Sequence, residues 1–361
     1  MKVGMVTFHR AVNYGAALQA VALAKHINDT LCPCEVIDFV PNNNGAPSAN
    51  PLRRCLGFGK KTLYSVLFYK KNTKKRKFSR FAKKYIPTSA KTYFGDKAIV
   101  SDPPSYDVYL SGSDQILNTT LTGNSHAFYL SFAKKGKKIS YASSFGRKDV
   151  SETEIKFIRE YLADFDALSV REKSGGEIIA REIARRCEDV LDPVFLLDET
   201  TWRAMSKVIK LKEKYILVYA MEYSDAMANA IAALKAAYDY PIYMICGSGS
   251  AQALDCLKLT DLGPTEFLGA ISGAEMVLTN SFHGTAFSMI FEKKLYCVAH
   301  STRNARLENI LAQVEQADML IDAGSDGKDV VEKMIDGANA YKKLMPEINA
   351  SKKYLAEVIV G

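Results

Sequence analysis

Residues Met276 to Phe291 read MVLTNSFHGTAFSMIF, and the reading of the fold starts from how this stretch changes character. Met276-Val277-Leu278 is a short apolar run, the pattern of a strand buried on both faces. Thr279-Asn280-Ser281 are small and polar, Phe282-His283-Gly284 make a turn, and Thr285 to Phe291 resume as an apolar, helix-like run. Strand, tight turn and helix in succession build an open α/β sheet, whose ligands bind outside the carboxyl ends of the strands. The helix N-terminus offers an anion free N–H groups and a positive dipole end. His283 brings a proton-transfer group to the same turn. A buried, hydrogen-bonded turn histidine fits the same pattern, and for this segment alone that structural role is the more frequent one.

Outward from this stretch the same alternation recurs. Residues 2–8, 35–40, 106–110, 138–142, 167–170 and 189–191 read as strands, separated by helical patterns that begin at Ala16, Ser151 and Ser174. Ser151 with Glu154 three residues on is a capping-box pattern. Residues 200–213 read as a linker helix. A second series follows, with strands at 215–220, 241–245, 276–278, 295–298 and 319–321 and helices at 225–238, 264–272, 303–311 and from 328 onward. A length of 361 residues suits two domains of ordinary size. The predicted fold is therefore α/β, with two Rossmann-like doubly wound domains facing across a cleft. The first covers residues 1–198, with a basic helical insertion at about 51–97. The second covers 212–325 and carries the SFHG turn, and a C-terminal helix at 326–361 packs back across the joint.

The net charge of +8 is unevenly distributed. Residues 51–97 hold 15 Lys or Arg and one acid, Asp96, which leaves 33 basic against 39 acidic residues elsewhere. That basic stretch is interleaved with Leu52, Phe58, Tyr64, Phe68 and Tyr69, a composition suited to an anionic membrane surface or to a solvated helix pair. No nucleic-acid motif accompanies the charge, so nucleic acid is not an expected partner. No apolar run approaches the ~18 residues of a membrane span, and the N-terminus reads as a strand rather than a signal peptide. Seven cysteines at irregular spacing do not form a disulfide framework. A cytoplasmic location is expected.

The predicted strands end in small or charged residues: Asn13 to Gly15, Ser111 to Gln115, Ser143 to Gly146, Arg171, Asn280 to Gly284, Arg303 and Arg306. Gly and Ser let a ligand approach the backbone, and Arg offers a bidentate fork to phosphate or carboxylate. No P-loop, GxGxxG, HExxH or GxSxG follows a strand, so the chemistries of those motifs lack support. One histidine among arginines near Gly-rich turns suits transfer chemistry on a small, strongly anionic donor. Asp114 reads equally as a helix cap, and Asp192 as structural.

Several of these segments together resemble a known family. Ser281-Phe282-His283-Gly284-Thr285-Ala286-Phe287-Ser288 is similar to the signature of the polysaccharide pyruvyl transferases. So are Asn13-Tyr14-Gly15-Ala16 with Leu18-Gln19, Gly112-Ser113-Asp114-Gln115, Tyr141-Ala142-Ser143-Ser144-Phe145-Gly146 and Ser169-Val170-Arg171-Glu172. The resemblance runs from about Lys2 to Leu311, with the motifs in matching order. It departs at Ile116-Leu117-Asn118, where many relatives carry Trp. It implies a fold like that of the GT-B glycosyltransferases, phosphoenolpyruvate as donor, and a sugar of a capsular or exopolysaccharide, or its lipid-linked precursor, as acceptor. The product would be a pyruvate ketal, with phosphate released. The resemblance assigns catalysis to His283 and donor binding to Arg171, Arg306 or its neighbour Arg303, Ser281 and Gly284. Asn13, Tyr14, Gly15, Ser113, Asp114, Gln115 and Ser144 become cleft or acceptor residues. No metal and no cofactor beyond the phosphoenolpyruvate co-substrate is expected. The alternatives are a nucleotide-sugar glycosyltransferase, with Glu222 or Glu266 gripping the ribose, and a non-catalytic membrane-surface module built on residues 51–97.

Overall fold

The first strands of the chain are apolar and buried on every residue, as strands covered on both faces must be. This is true of β1 (Val3–Val6) and, apart from the polar Glu35 and Asp38 and the half-buried Val40, of β2 (Cys34–Val40). In the computed structural model, which describes residues 1–41, 73–147, 149–245, 254–301 and 304–361, these strands join β3 (Thr88–Phe94), β4 (Val108–Ser111) and β5 (Lys137–Ser140) in one sheet. All its pairings are parallel, and the order is β3-β2-β1-β4-β5. That order reverses direction between β1 and β4, which makes a topological switch point. The helix Tyr14–Thr30 packs on β2; it is apolar nearly all round and buried along most of its length. A short parallel pair, β6 (Ser169–Val170) with β7 (Glu188–Asp189), adjoins β5 through bridges at Ile139–Ala167 and Ser143–Val170.

The second sheet contains β8 (Ile216–Tyr219), β9 (Ile242–Ile245), β10 (Leu257–Leu259), β11 (Met276–Thr279), β12 (Lys294–Cys297) and β13 (Ile335–Asp336). Its order is β10-β9-β8-β11-β12-β13, parallel except for the final β12–β13 pair. Its switch point lies between β8 and β11. Two compact units result, residues 1–189 with 356–361, and residues 190–355. The junction of 198–212 expected from sequence lies within the second of these. Among the described residues no helix is long and apolar enough to cross a membrane.

Several local expectations are corrected. Of the basic segment, residues 51–72 lie outside the described residues. Thr73–Tyr85 is helical as read, but Thr88–Phe94 is an edge strand and Gly95–Ser101 a separate helix. Pro87 cannot continue the first helix, and its carbonyl instead accepts from Val36 N–H of β2 at 2.8 Å. The linker helix is only Glu199–Met205. Beyond it Lys207 N–H donates to Thr265 O at 2.9 Å, which ties the extended chain to the helix Pro264–Ser272. Residues 319–321 form no strand; only Ile321 bridges, to Val298. The C-terminal helix is Gly337–Val360, starting after β13 rather than at Lys328.

Candidate active site

In the first unit the chemistry gathers at the β1–β4 switch point. Gly112, just after β4, donates its N–H to Val6 O at the end of β1 (2.9 Å). Asp114 then adopts φ +76°, a left-handed conformation that Asp tolerates better than most residues. This turn points its carboxylate at Arg171, whose Nη2 donates to Asp114 Oδ1 at 3.0 Å. Arg171 follows β6, and its side chain is 1% exposed. A second carboxylate, Glu172, lies 3.8 Å from Arg171 Nε. Glu172 also fastens the neighbouring turn. Its Oε1 accepts from Ser144 Oγ (2.6 Å) and from the N–H groups of Phe145 (3.2 Å) and Gly146 (3.3 Å). Gln115 packs directly on Gly146, where φ is +70° and a Cβ would come within 2.1 Å of Gln115 Oε1. A buried guanidinium compensated by two carboxylates is costly to assemble, and this one stands where sheets of this class bind ligands.

The other first-unit candidates serve this turn more remotely. Asn13 Oδ1 accepts from Ala16 N–H at 3.0 Å and caps the helix that begins at Tyr14 and Gly15. Tyr14 is buried on Phe78, with the Lys74 ammonium 4.7 Å from its ring centre. Gln19 connects this helix to the site: Nε2 donates to Thr7 Oγ1 (2.9 Å), which donates to Ser113 O (3.2 Å). The Ser113 hydroxyl is buried with no hydrogen-bond partner. Ile116 and Leu117 are fully buried core residues, so neither offers the flat surface that a Trp there would give a sugar.

In the second unit the candidates gather at the β8–β11 switch point. Thr279 ends β11, and its hydroxyl donates to Tyr219 O of β8 (2.6 Å) and accepts from Ser281 N–H (3.0 Å). Asn280 Oδ1 accepts from Met221 N–H at 2.7 Å, whereas its Nδ2 is buried without a hydrogen-bond partner. The turn is tight because Gly284 lies on Thr279: a Cβ there would be 2.4 Å from Thr279 Oγ1. His283 occupies the first turn of the helix Phe282–Ile290, with its side chain 10% exposed. Its Nε2 makes no hydrogen bond and stands 3.6 Å from Asp192 Oδ2.

Asp192, read from sequence as structural, also lies beside His283, which the sequence did not indicate. The Asp192 side chain is fully buried, and Oδ1 accepts from Val194 N–H at 3.1 Å, capping the turn Pro193–Leu196. The sequence reading took Asp192-Pro193 as the end of a strand, and nothing in that dipeptide indicates a histidine so far along the chain. Phe282 packs edge-on against the His283 ring (centroids 5.2 Å apart), and the Arg306 guanidinium lies 5.8 Å from the Phe282 ring centre. Arg306 and His283 thus both lie against Phe282, while Arg303 lies outside the described residues. Ser281 hydrogen-bonds the Tyr219 hydroxyl; burial raises the pKa of that phenol despite this bond.

The two acids considered for a ribose have other engagements. Glu222 accepts from Ser301 N–H (2.6 Å) and Oγ (2.9 Å) and lies 3.3 Å from His300 Nδ1. Glu266 accepts from Gly263 N–H at 3.1 Å, at the start of its own helix.

Structural similarity supports the architecture. The chain is similar to HepE of Anabaena in complex with UDP and glucose (TM-score 0.58, 10% identity, covering 100% of this chain and 99% of that one). It is also similar to UDP-GlcNAc 2-epimerase of Methanocaldococcus jannaschii (TM-score 0.54, 12% identity, 100% of both chains). At these identities the likeness concerns the fold, and it agrees with two Rossmann-like units of the GT-B kind. No curated protein matches the chain in sequence. The family profile for polysaccharide pyruvyl transferase matches residues 13–302. That span includes every described motif from Asn13 to the loop after β12, and the chain belongs to the polysaccharide pyruvyl transferase family.

Proposed function

We propose that the protein transfers the pyruvyl group of phosphoenolpyruvate to two hydroxyls of a sugar in a surface polysaccharide or its lipid-linked precursor. The observation that carries this reading is His283: a buried imidazole whose Nε2 makes no hydrogen bond, beside the buried Asp192 carboxylate, at a switch-point turn. In the reaction the methylene carbon of the donor gains a proton and becomes a methyl group. The neighbouring carbon takes on oxocarbenium character, forms bonds to two sugar oxygens and loses its bond to phosphate. One of the two hydroxyl protons balances the new methyl hydrogen and the other leaves with phosphate. A positioned histidine can deliver or accept such protons, and Asp192 would orient it.

Arg171 would hold the donor, which carries about −2.5 to −3 charges. A guanidinium already fixed by Asp114 loses little freedom on binding, and its planar fork suits phosphate or carboxylate. In the second unit Ser281, Gly284 and Arg306 are further candidates for donor binding, Arg303 being the alternative to Arg306. Asn13, Tyr14, Gly15, Ser113, Asp114, Gln115 and Ser144 would shape the acceptor side. The basic segment would hold the enzyme on an anionic cytoplasmic membrane face, close to a lipid-linked acceptor.

Incubation with phosphoenolpyruvate and a panel of sugars tests the reading. Phosphate release that depends on the sugar, with a product heavier by one pyruvate ketal, is expected. UDP-glucose belongs in the same panel, because HepE, which shares the fold, was crystallised with UDP and glucose. Sugar transfer from UDP-glucose without consumption of phosphoenolpyruvate would replace this reading with the glycosyltransferase one.

A further inference from the structure

A cavity of about 350 Å³ opens in the first unit beside the ends of β1 and β2, away from Arg171 in sequence and in lining. One wall is the helix Thr73–Tyr85. Lys75, Phe78, Ser79, Ala82 and Lys83 all line the cavity from this helix, at the spacing of a single helix face. The opposite wall comes from the loop after β1, with His9, Arg10 and Val12, and from Asp38 on β2.

The charges of this lining are arranged for an anion. Asp38 is the only acid among the described residues that line it, and both of its oxygens are saturated. Oδ1 accepts from His9 Nε2 (2.9 Å) and Arg10 Nε (2.6 Å); Oδ2 accepts from Arg10 Nη2 and Thr92 Oγ1 (both 2.5 Å). Burial alone would raise the Asp38 carboxyl, but these bonds and the Arg10 charge hold it well below the ordinary carboxylate range. It therefore fixes Arg10 and presents no free oxygen to a cation. Arg10 keeps further N–H donors beyond those two and is half exposed. Lys75 and Lys83 are exposed at the surface of the helix. With Asp38 set against Arg10, the two lysines leave the lining at +2, which matches a phosphate monoester. Phe78, Ala82 and Val12 line the cavity as an apolar strip, of which Phe78 is buried and Val12 exposed; its open part can pack the apolar face of a sugar ring. The volume is at the lower end for ligand pockets, ~300–1,000 Å³, and suits one sugar with its phosphate rather than a longer glycan.

We propose that this cavity binds a phosphorylated sugar, the phosphate taken by Lys75, Lys83 and the open edge of Arg10 and the ring lying on the apolar strip. The phosphate could belong to a soluble sugar phosphate or to the headgroup of a lipid-linked sugar. That the ligand is the acceptor rests on the pyruvyl-transfer reading; that the cavity binds it does not.

Equilibrium titration of the full-length protein with glucose, galactose and mannose 1-phosphates separates the two claims. At least one hexose 1-phosphate should bind about tenfold or more tightly than its parent hexose or inorganic phosphate. The double variant K75E/K83E should weaken it about tenfold or more, as loss of charged hydrogen bonds predicts. Its melting temperature and its affinity for phosphoenolpyruvate should not change. A prenyl diphosphate-linked hexose in detergent should suffer the same loss if the lipid headgroup is the natural source, and less than the soluble ester if it is not. The proposal is overturned if no hexose 1-phosphate binds preferentially, if K75E/K83E binds it normally, or if the variant loses only association with anionic vesicles. Binding without any phosphoenolpyruvate turnover would leave the pocket standing and remove the transfer reaction. Turnover of unphosphorylated sugars alone would keep the transfer reaction and remove the claim that the ligand of this pocket is its acceptor.

Discussion

His283 and Asp192 form the most informative pair in the molecule. A buried imidazole nitrogen stands 3.6 Å from a buried carboxylate with no hydrogen bond at that nitrogen, and in the proposed reaction this acid would orient the ring. His283→Ala is expected to lower turnover by ~10²–10⁴-fold, the usual contribution of one acid–base group, in a protein that still melts cooperatively. Asp192→Asn keeps the oxygen that caps Val194 but removes the charge beside the ring. It should lower kcat while leaving KM for phosphoenolpyruvate near its original value. Single-turnover kinetics beside thermal melts check both; a well-folded His283→Ala protein with near-normal turnover would end the assignment. Arg171 calls for a different measurement. Arg171→Lys retains charge but loses the fork, and KM for phosphoenolpyruvate should rise about tenfold or more, as expected for a charged hydrogen bond. An unchanged KM would count against Arg171 as the donor-binding group.

At the scale of the element, the strand–turn–helix unit Met276 to Phe291 works because the Gly284 backbone lies directly on the Thr279 side chain. Thr279 on β11 and Gly284 on the following helix leave no space for a Cβ, and Thr279 is held by its bond to Tyr219 O. Gly284→Ala should therefore destabilise the second unit by ~1–3 kcal/mol, the cost of overpacking a core that cannot yield, and should displace His283 as well. Denaturant unfolding provides the number, and a variant as stable as the parent would show that the helix can shift away from β11. The capping box read at Ser151 and Glu154 is present: Glu154 N–H donates to Ser151 Oγ (3.3 Å) and Ser151 N–H to Glu154 Oε2 (2.7 Å). Glu154 also accepts from Arg147 and from Thr119 N–H, partners that no local pattern announces.

For the whole molecule, two consequences concern charge. Asp38 and Glu154 both have carboxyl groups whose burial is outweighed by hydrogen bonds and neighbouring cations, so both pKa values are lowered in the folded state. A lowered folded pKa contributes stability that is complete above the unfolded value, 3.8 for Asp and 4.5 for Glu. That contribution disappears as pH falls below it. Asp38→Asn should accordingly be less stable than the parent at pH ~7, with the gap narrowing as melts are taken below pH ~4. A constant gap across that range would refute the linkage. The second consequence follows from the basic segment, whose described part includes the helix Thr73–Tyr85 with no acidic residue. Co-sedimentation with anionic vesicles should fall as salt rises, since the Debye length shrinks from ~10 Å at 0.1 M to ~3 Å at 1 M. Equal co-sedimentation with neutral vesicles would rule out this mode of attachment.

Local chemistry was enough to locate β11, its polar turn and the helix after it, because apolar runs, small polar residues and a helix-starting turn are all contiguous in the chain. The same holds for the strand-end turns at Gly112, Ser144 and Arg171, and their order along the chain identified the family. What contiguous residues could not show was pairing across distance. The edge strand β3 was hidden inside a basic stretch because edge strands need little apolar character. The saturation of Asp38 by His9, Arg10 and Thr92, the grip of Glu172 on the Ser144 turn, and the placing of Asp192 beside His283 all join segments far apart in sequence. Such contacts leave no periodic trace, since a single buried carboxylate finds its partner only when sheet order and packing have brought two strand ends together. The sequence by itself therefore determined the buried central strands, most helices and the residues with reactive side chains, but not the edge strands β3, β10 and β13. The tertiary structure decided which carboxylate restrains which cation or imidazole, because burial makes each buried charge depend on the neighbours that the fold supplies.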